Sequence, residues 1–424
     1  MAKNRSPASG PSVCLYFQVH QPYRLRDLRI TEIGTADVDY FDEANNRSIF
    51  RKVAEKCYLP ANALMLGLLN TYPDFRISYS ISGVFLDQCR TYGPDVLESF
   101  QRLADTGKVE FLAETYYHSL SSLASPEEYC QQVKKHVQTI EELFGQTPSV
   151  FRNTELIYSN HIAHLARLMG FTGILAEGVD GLLAGRSPNH PFVPPKFRIP
   201  AEQETIIRRN RPPIRRSQNI HVLLKNYRLS DDVAFRFSDR SWNGYPLNAE
   251  TFTDWVQRSG GHSVNLFMDY ETFGEHQWAD TGIFEFLATL SRIWQERGIR
   301  CETPSEVIRR WRKQKNEETY DVHAPISWAD RERDLSAWKG NAIQNASFTS
   351  LYELETAVKA LGDPAVLELW RKLQISDHLY YMCTKYWSDG DVHKYFSPYE
   401  SPYEAYRRFS HAMHDLRYRL TNHE

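Results

Sequence analysis

Along this chain, short apolar runs of strand length alternate with amphipathic stretches of helical period. Most of the apolar runs stop at a small cluster of polar or ionisable residues. Val13-Cys14-Leu15-Tyr16-Phe17-Gln18-Val19 ends at His20-Gln21-Pro22, where Pro forbids continued strand pairing. An amphipathic helix is predicted over 48–69. Residues 76–81 read as a strand ending at Ser82-Gly83, 95–104 as a helix, and 109–113 as a strand that runs into Glu114-Thr115-Tyr116-Tyr117-His118. Ser125-Pro126-Glu127-Glu128 predicts a helix start, with Ser at the N-cap, Pro in the first turn and Glu completing a capping box; Gly145 predicts its end.

The same grammar continues through a brief strand at 149–153 leading to Thr154-Glu155, a helix over 161–169, and strands at 173–176 and 221–224, the latter tipped by Lys225. A helix over 249–258 then precedes a strand at 263–268 that stops at Asp269. Residues 185–219 break the rhythm with many Pro, Arg and Lys residues, and are expected to cover or border a cleft. Strands alternating with helices predict a mostly parallel sheet, and polar clusters at strand ends predict a barrel whose active face is the C-terminal one. This α/β barrel is expected to span residues 1–302. Thr303-Pro304-Ser305-Glu306 is a second capping-box signal, and 303–424 carry helical patterns with almost no strand signal, predicting a helical C-terminal domain.

Composition narrows the function. The 424 residues are 42% hydrophobic and 24% charged, an ordinary globular profile. A net charge of −3 with mixed signs gives no field for nucleic acid or an acidic membrane surface, so a neutral partner is expected. Six cysteines without a C-x-x-C pair argue against a structural zinc site, and are expected to be buried thiols in a reducing, cytoplasmic setting. Residues 1–12 lack the apolar core of a signal peptide, and no run approaches the ~20 apolar residues of a membrane span. Aromatics make up 13%; most belong to a large core, while some offer flat platforms for a neutral polar ligand.

Two carboxylates in unlike settings, Glu155 among apolar residues and Asp269 at a strand tip, are what cleavage of a glycosidic bond needs: one ionised to attack, one protonated to donate. A competing constellation is a metal site of His20, His118, Asp269 and His276. No H-x-x-x-H or H-x-D pair supports it in these stretches. A non-catalytic glucan-binding protein is the third reading.

The motifs His20-Gln21-Pro22, Glu114-Thr115-Tyr116-Tyr117-His118, Phe151-Arg152-Asn153-Thr154-Glu155 and Phe267-Met268-Asp269-Tyr270-Glu271-Thr272-Phe273-Gly274-Glu275-His276 resemble, in order, the characteristic regions of glycoside hydrolase family 57. Trp338-Lys339-Gly340-Asn341 is similar to its last region, and the whole resembles the α-amylase branch most. The resemblance implies an incomplete (β/α)7 barrel with a helical domain closing one side of the cleft. It also implies a retaining mechanism on α-glucans, with no cofactor or metal. By the same resemblance Glu155 is the expected nucleophile and Asp269 the expected general acid/base. His20, Glu114, His118, Arg152, His276, Trp278 and Trp338 are expected to meet the sugar. Gln18 stands where many members carry His, His118 where others carry Glu, and His276 where some carry Trp.

Overall fold

The computed structural model describes residues 10–35, 38–215, 217, 219–312, 317–385 and 392–422. Its strands are β1 (Ser12–Val19), β2 (Ile77–Ile81), β3 (Val109–Phe111), β4 (Val150–Phe151), β5 (Gly173–Glu177), β6 (Phe192–Val193), β7 (His221–Lys225), β8 (Ser263–Asp269) and β9 (Glu318–Thr319). Parallel pairing gives the order β3-β2-β1-β8 in one sheet and β4-β5-β7 in the other, where β6 and β9 continue beyond β7. A parallel bridge between Ala113 and Phe151 joins β3 to β4, so seven parallel strands follow one another around a ring.

Between β7 and β8 the ring lacks a ladder. Asn226 N–H donates to Asn265 O at 2.9 Å, and the Asn265 side-chain amide donates to Leu224 O at 2.8 Å. One side chain thus does part of the work of a strand pairing, and the result is an incomplete (β/α)7 barrel. The segment 185–219 explains the gap. Phe192 pairs antiparallel with Val222 along β7, and Asn189 O accepts from the backbone N–H groups of His262 and Ser263. Its helix Ala201–Asn210 packs outside the barrel on helices Pro126–Phe144 and Asn160–Met169. The expectation that this segment covers the cleft is therefore corrected: among the described residues none of it lines the cleft, because its apolar groups are used at the seam and on the outer helices.

Most predicted elements sit within a few residues of their expected places. The helix expected at 48–69 is a longer run: α-helix Glu43–Val53, a π-turn over Ala54–Tyr58, and α-helix Leu59–Thr71. A helix at Gly83–Tyr92 was not expected; Ser82 caps it directly at the end of β2, leaving no spacer to betray it. Ser125 and Gly145 end their helix as expected, with Gly145 at φ +65. Glu128 does not complete the capping box. Its buried carboxylate instead receives Arg371 at 2.8 Å and Lys359 at 3.3 Å, tying the barrel to the C-terminal helices.

The capping box at Thr303 and Glu306 does form, but the helix it opens, Pro304–Trp311, turns back into the barrel. Val307 and Ile308 pack among Cys14, Tyr16, Leu112, Val150, Leu175, Leu223 and Phe267, filling the barrel interior. Gly173 makes room for this, since a Cβ there would meet Ile308 Cδ1 at 2.3 Å. Helices Ser336–Lys339, Ala342–Glu353, Glu355–Leu361, Pro364–Lys372, Asp377–Tyr380 and Pro402–Thr421 then pack on the flank that holds Tyr117, Leu120 and Val133. No helix among the described residues is long and apolar enough to cross a membrane.

If the Asn265 amide substitutes for a ladder, Asn265→Ala strands the buried Leu224 carbonyl. A loss of about 1–3 kcal/mol in urea unfolding is expected; an unchanged midpoint would show that the seam is held by packing alone.

Candidate active site

Alternation along each strand decides which side chains face the barrel interior. In β1, Val13, Leu15, Phe17 and Val19 join the outer helices, while Cys14 and Tyr16 face inward. In β8, Val264, Leu266 and Met268 face outward and Phe267 inward. One step further toward the C-terminal mouth, the inward positions are Gln18, Ser80, Glu114, Arg152, Glu177, Lys225 and Asp269, one for each of the seven strands. Every one is polar. The layer beneath them is mainly apolar, so the mouth is a polar ring on an apolar floor.

The ring positions the chemistry through direct bonds. Gln18 lies opposite Asp269 in the β1–β8 register and donates to Glu114 Oε1 at 3.1 Å; Ser80 Oγ donates to the same oxygen at 2.5 Å. Glu114 Oε2 then meets His118 Nδ1 at 2.9 Å, and His118 Nε2 meets Glu155 Oε1 at 3.0 Å. The other oxygen of Glu155 accepts from the Trp328 indole N–H at 2.7 Å, and Glu155 O accepts from the Trp328 backbone at 3.2 Å. His118 and Glu155 both have left-handed backbones, φ +50 and +57, a strain that persists only where surroundings over-determine it.

Their electrostatics separate the two carboxylates. Burial works to raise the Glu155 carboxyl, but the hydrogen bond and charge of His118, the charge of Arg152 and the Trp328 bond outweigh it and hold Glu155 below the ordinary range. Asp269 goes the other way: burial, then the Glu155 charge, push it up to about 6 against Arg152, Lys225 and His118. Burial lowers His118, yet its bonds to Glu114 and Glu155 lift it to about 9. Glu271, buried and next to the Asp269 charge, is pushed up to about 8 and accepts a hydrogen bond from Tyr58 on the π-turn.

A cleft of about 490 Å³ opens above this group. Glu155, Asp269, His20, His118, His276 and Trp338 all line it. His20 stacks on His118 with ring centres 3.9 Å apart, and bonds Ser82 Oγ at 2.7 Å and Asp377 Oδ2 at 3.0 Å. Three expected sugar contacts are placed elsewhere. Glu114 and Arg152 are fully buried behind the cleft wall, because cleft-lining side chains cover them: His118 bonds Glu114, and the Arg152 guanidinium lies 5.0 Å under the Trp328 ring. Trp278 is 59% exposed on the outer surface, with Lys56 Nζ 5.2 Å over its ring. The loop turns outward before it: Gly274 sits at φ +112 against Lys56 O, leaving no room for a Cβ.

The metal alternative does not assemble. Both nitrogens of His20 and of His118 are engaged by Ser82, Asp377, Glu114 and Glu155, and among the described residues no three His, Cys, Asp or Glu groups are arranged to hold an ion. The expected site did not include Gln18, Lys225, Glu271, Trp328 or Asp377 as contacts, yet all line the cleft. Lys225 and Glu271 were within reach of sequence reasoning, one at a strand tip and the other two residues past Asp269. Asp377 carries no such signal. A second hollow, about 360 Å³, lies against Cys301, which bridges to Val13 at the start of β1, and is lined largely by Arg and Glu side chains, two of each paired: Arg76 with Glu306 and Arg310 with Glu302.

An ionised and a proton-holding carboxylate at the C-terminal mouth of a β/α barrel are the pair that a glycoside-cleaving enzyme uses. The chain belongs to Glycosyl hydrolase family 57, whose model matches residues 14–323. A Methanocaldococcus jannaschii protein, provisionally named an α-amylase, is 40% identical over 95% of this chain and 83% of its own length. Two solved structures share the fold. The 4-α-glucanotransferase of Thermococcus litoralis has TM-score 0.63 and 14% identity, with 88% of this chain covering 56% of that one. The branching enzyme of Pyrococcus horikoshii has TM-score 0.62 and 15% identity, covering 89% of this chain and 86% of that one.

Carboxyl titration by ¹³C NMR should find Asp269 changing protonation near pH 6, while Glu155 stays ionised to below the ordinary glutamate value. The reverse order would exchange their roles.

Proposed function

We propose that this protein cleaves α-1,4-glucans with retention, through a covalent glycosyl-enzyme, and hands the glycosyl unit to water or to a sugar hydroxyl. The observation that carries the reading is the opposed tuning of two carboxyls in one cleft: Glu155 kept charged, Asp269 kept ready to hold a proton. The α-glucan substrate is supported by relatives named α-amylase, 4-α-glucanotransferase and branching enzyme.

In the first step a Glu155 oxygen bonds the anomeric carbon as the glycosidic C–O bond breaks, and the Asp269 proton passes to the departing oxygen. In the second, Asp269 takes a proton from water or a sugar hydroxyl, that oxygen bonds the anomeric carbon, and the bond to Glu155 returns its electron pair to the carboxylate. Retention requires the two carboxyls roughly 5–5.5 Å apart, and Glu155 beyond β4 and Asp269 at the end of β8 line one cleft from opposite sides of the same mouth. His20 and His276 serve as polar sugar contacts; burial lowers His276 to about 4, so it acts neutral. The six cysteines are unpaired and buried, which fits work in a reducing cytoplasm.

One feature favours a sugar acceptor. Phe235, Tyr395 and Phe396 are 61%, 62% and 40% exposed, and all three line the cleft, with His276 edge-on to the Phe396 ring at 5.5 Å. This ledge adjoins the loop that follows Asp269, the side on which the leaving or accepting sugar stands, and aromatic faces there suit the apolar face of a glucose ring.

Glu155→Gln should abolish turnover of maltooligosaccharides and amylose while leaving the melting curve in place, because the amide keeps the size and loses the nucleophilic charge. Near-normal activity would reassign Glu155 to structure. Following reducing ends alongside chain-length distribution in the wild type separates the acceptors: new ends report hydrolysis, redistribution without them transfer. Tyr395→Ala is expected to shift that balance toward hydrolysis and to raise the acceptor KM; an unchanged balance would remove the ledge from the acceptor site.

A further inference from the structure

His118 is held more tightly than a sugar contact needs to be. It is 1% exposed, its backbone is left-handed, and its two ring nitrogens each face a carboxylate oxygen, Glu114 at 2.9 Å and Glu155 at 3.0 Å. An imidazole with an acceptor on both nitrogens satisfies both only by donating from both, which makes it a cation. Glu114 in turn is fixed from behind by Gln18 and Ser80. The result is a buried carboxylate, a cation and the catalytic carboxylate in line.

We propose that His118 is a positioning residue for the second half of the reaction, a cation anchored on Glu114 that receives the charge returning to Glu155 as the glycosyl ester breaks. The inference rests on the covalent mechanism above. A donor bonded to a carboxylate makes it a weaker base, hence a poorer nucleophile but a better leaving group. When Glu155 becomes an ester its charge disappears, and Glu114 alone keeps His118 protonated until the C–O bond to Glu155 opens. The electron pair then returns to an oxygen already facing a positive N–H.

The other charged and titratable groups around His118 are consistent with this. His20, stacked on it, is lowered by burial and then by the His118 charge, so it remains neutral and does not compete for the cationic role. Asp377 lies beyond His20, bonded to the far nitrogen of that ring. Arg152 draws down both Glu114 and Glu155, Asp269 and Glu155 act on each other, and His136 faces Glu114 from the helix Pro126–Phe144, its Nδ1 accepting the Glu114 backbone N–H at 3.3 Å.

The test uses α-maltosyl fluoride as donor, because fluoride departs without help from an acid and leaves breakdown of the ester to limit turnover. His118→Asn is the variant of choice, since Asn tolerates a left-handed backbone and carries no charge. Its kcat should fall about tenfold to a hundredfold, the range of a charged hydrogen bond, with KM falling alongside. Acid-quenched variant enzyme should carry a maltosyl group on Glu155 by mass spectrometry. A fall in kcat without that adduct, or a raised KM at unchanged kcat, would overturn the proposal. Glu114→Gln supplies an independent arm: without its anchor His118 should lose its proton at lower pH, moving the alkaline limb of the ester-breakdown rate to lower pH than in the wild type. An alkaline limb that stays in place would also overturn it. Wild-type enzyme that forms no adduct and turns over no fluoride would instead sink the covalent mechanism itself.

Discussion

Seven inward-facing polar side chains must share one small mouth, and they do so by alternating charge. From Glu114 around to Asp269 the ring reads acid, base, acid, base, acid: Glu114, Arg152, Glu177, Lys225, Asp269, with neutral Gln18 and Ser80 closing the circle. In a water-poor setting like charges side by side are costly, and each acid here has a base as its neighbour. Glu177 shows the balance: burial raises it, while Lys225 at 3.8 Å and Arg333 at 3.0 Å draw it back. Glu155, the carboxylate proposed as nucleophile, is not in the ring. It stands three residues beyond Arg152, on the strained turn, where it can meet His118, Trp328 and the cleft together.

That placement joins barrel and C-terminal segment at Glu155. Trp328 packs over Arg152 and donates to Glu155, and its own carbonyl accepts from Arg333, whose guanidinium also reaches Glu177 and Asp231. The segment around 326–333 is thereby pinned to the mouths of β4, β5 and β7. Polarity and geometry of the Glu155 carboxylate depend on a residue that lies 173 positions downstream.

Much of the barrel was legible because buried parallel strands are apolar on both faces and must end where polarity begins; the tips at His20, Lys225 and Asp269 follow from that alone. What stayed hidden depends on three-dimensional register. Glu114 and Arg152 looked like sugar contacts, yet His118 and Trp328 stand between them and the cleft. The direction of Trp278 is decided by one turn at Gly274. The helix at Gly83–Tyr92 abuts β2, and its opening Val84-Phe85-Leu86 continues the strand's apolar run. Asp377 comes from a helix packed by tertiary contacts, with no local motif to mark it.

The position of Val307 and Ile308 inside the barrel bears on the order of assembly. These side chains fill an interior built from strands as early as β1, so while the chain emerges from the ribosome the first 300 residues enclose an unfilled apolar hollow. A hollow of that kind gives up dispersion contacts along its whole lining. The barrel thus reaches its final packing only when the helix Pro304–Trp311 arrives, and Trp328, the donor to Glu155, follows some twenty residues later. Completion of the barrel interior is therefore a late event in the folding of this chain, and the Trp328 bond to Glu155 comes later still.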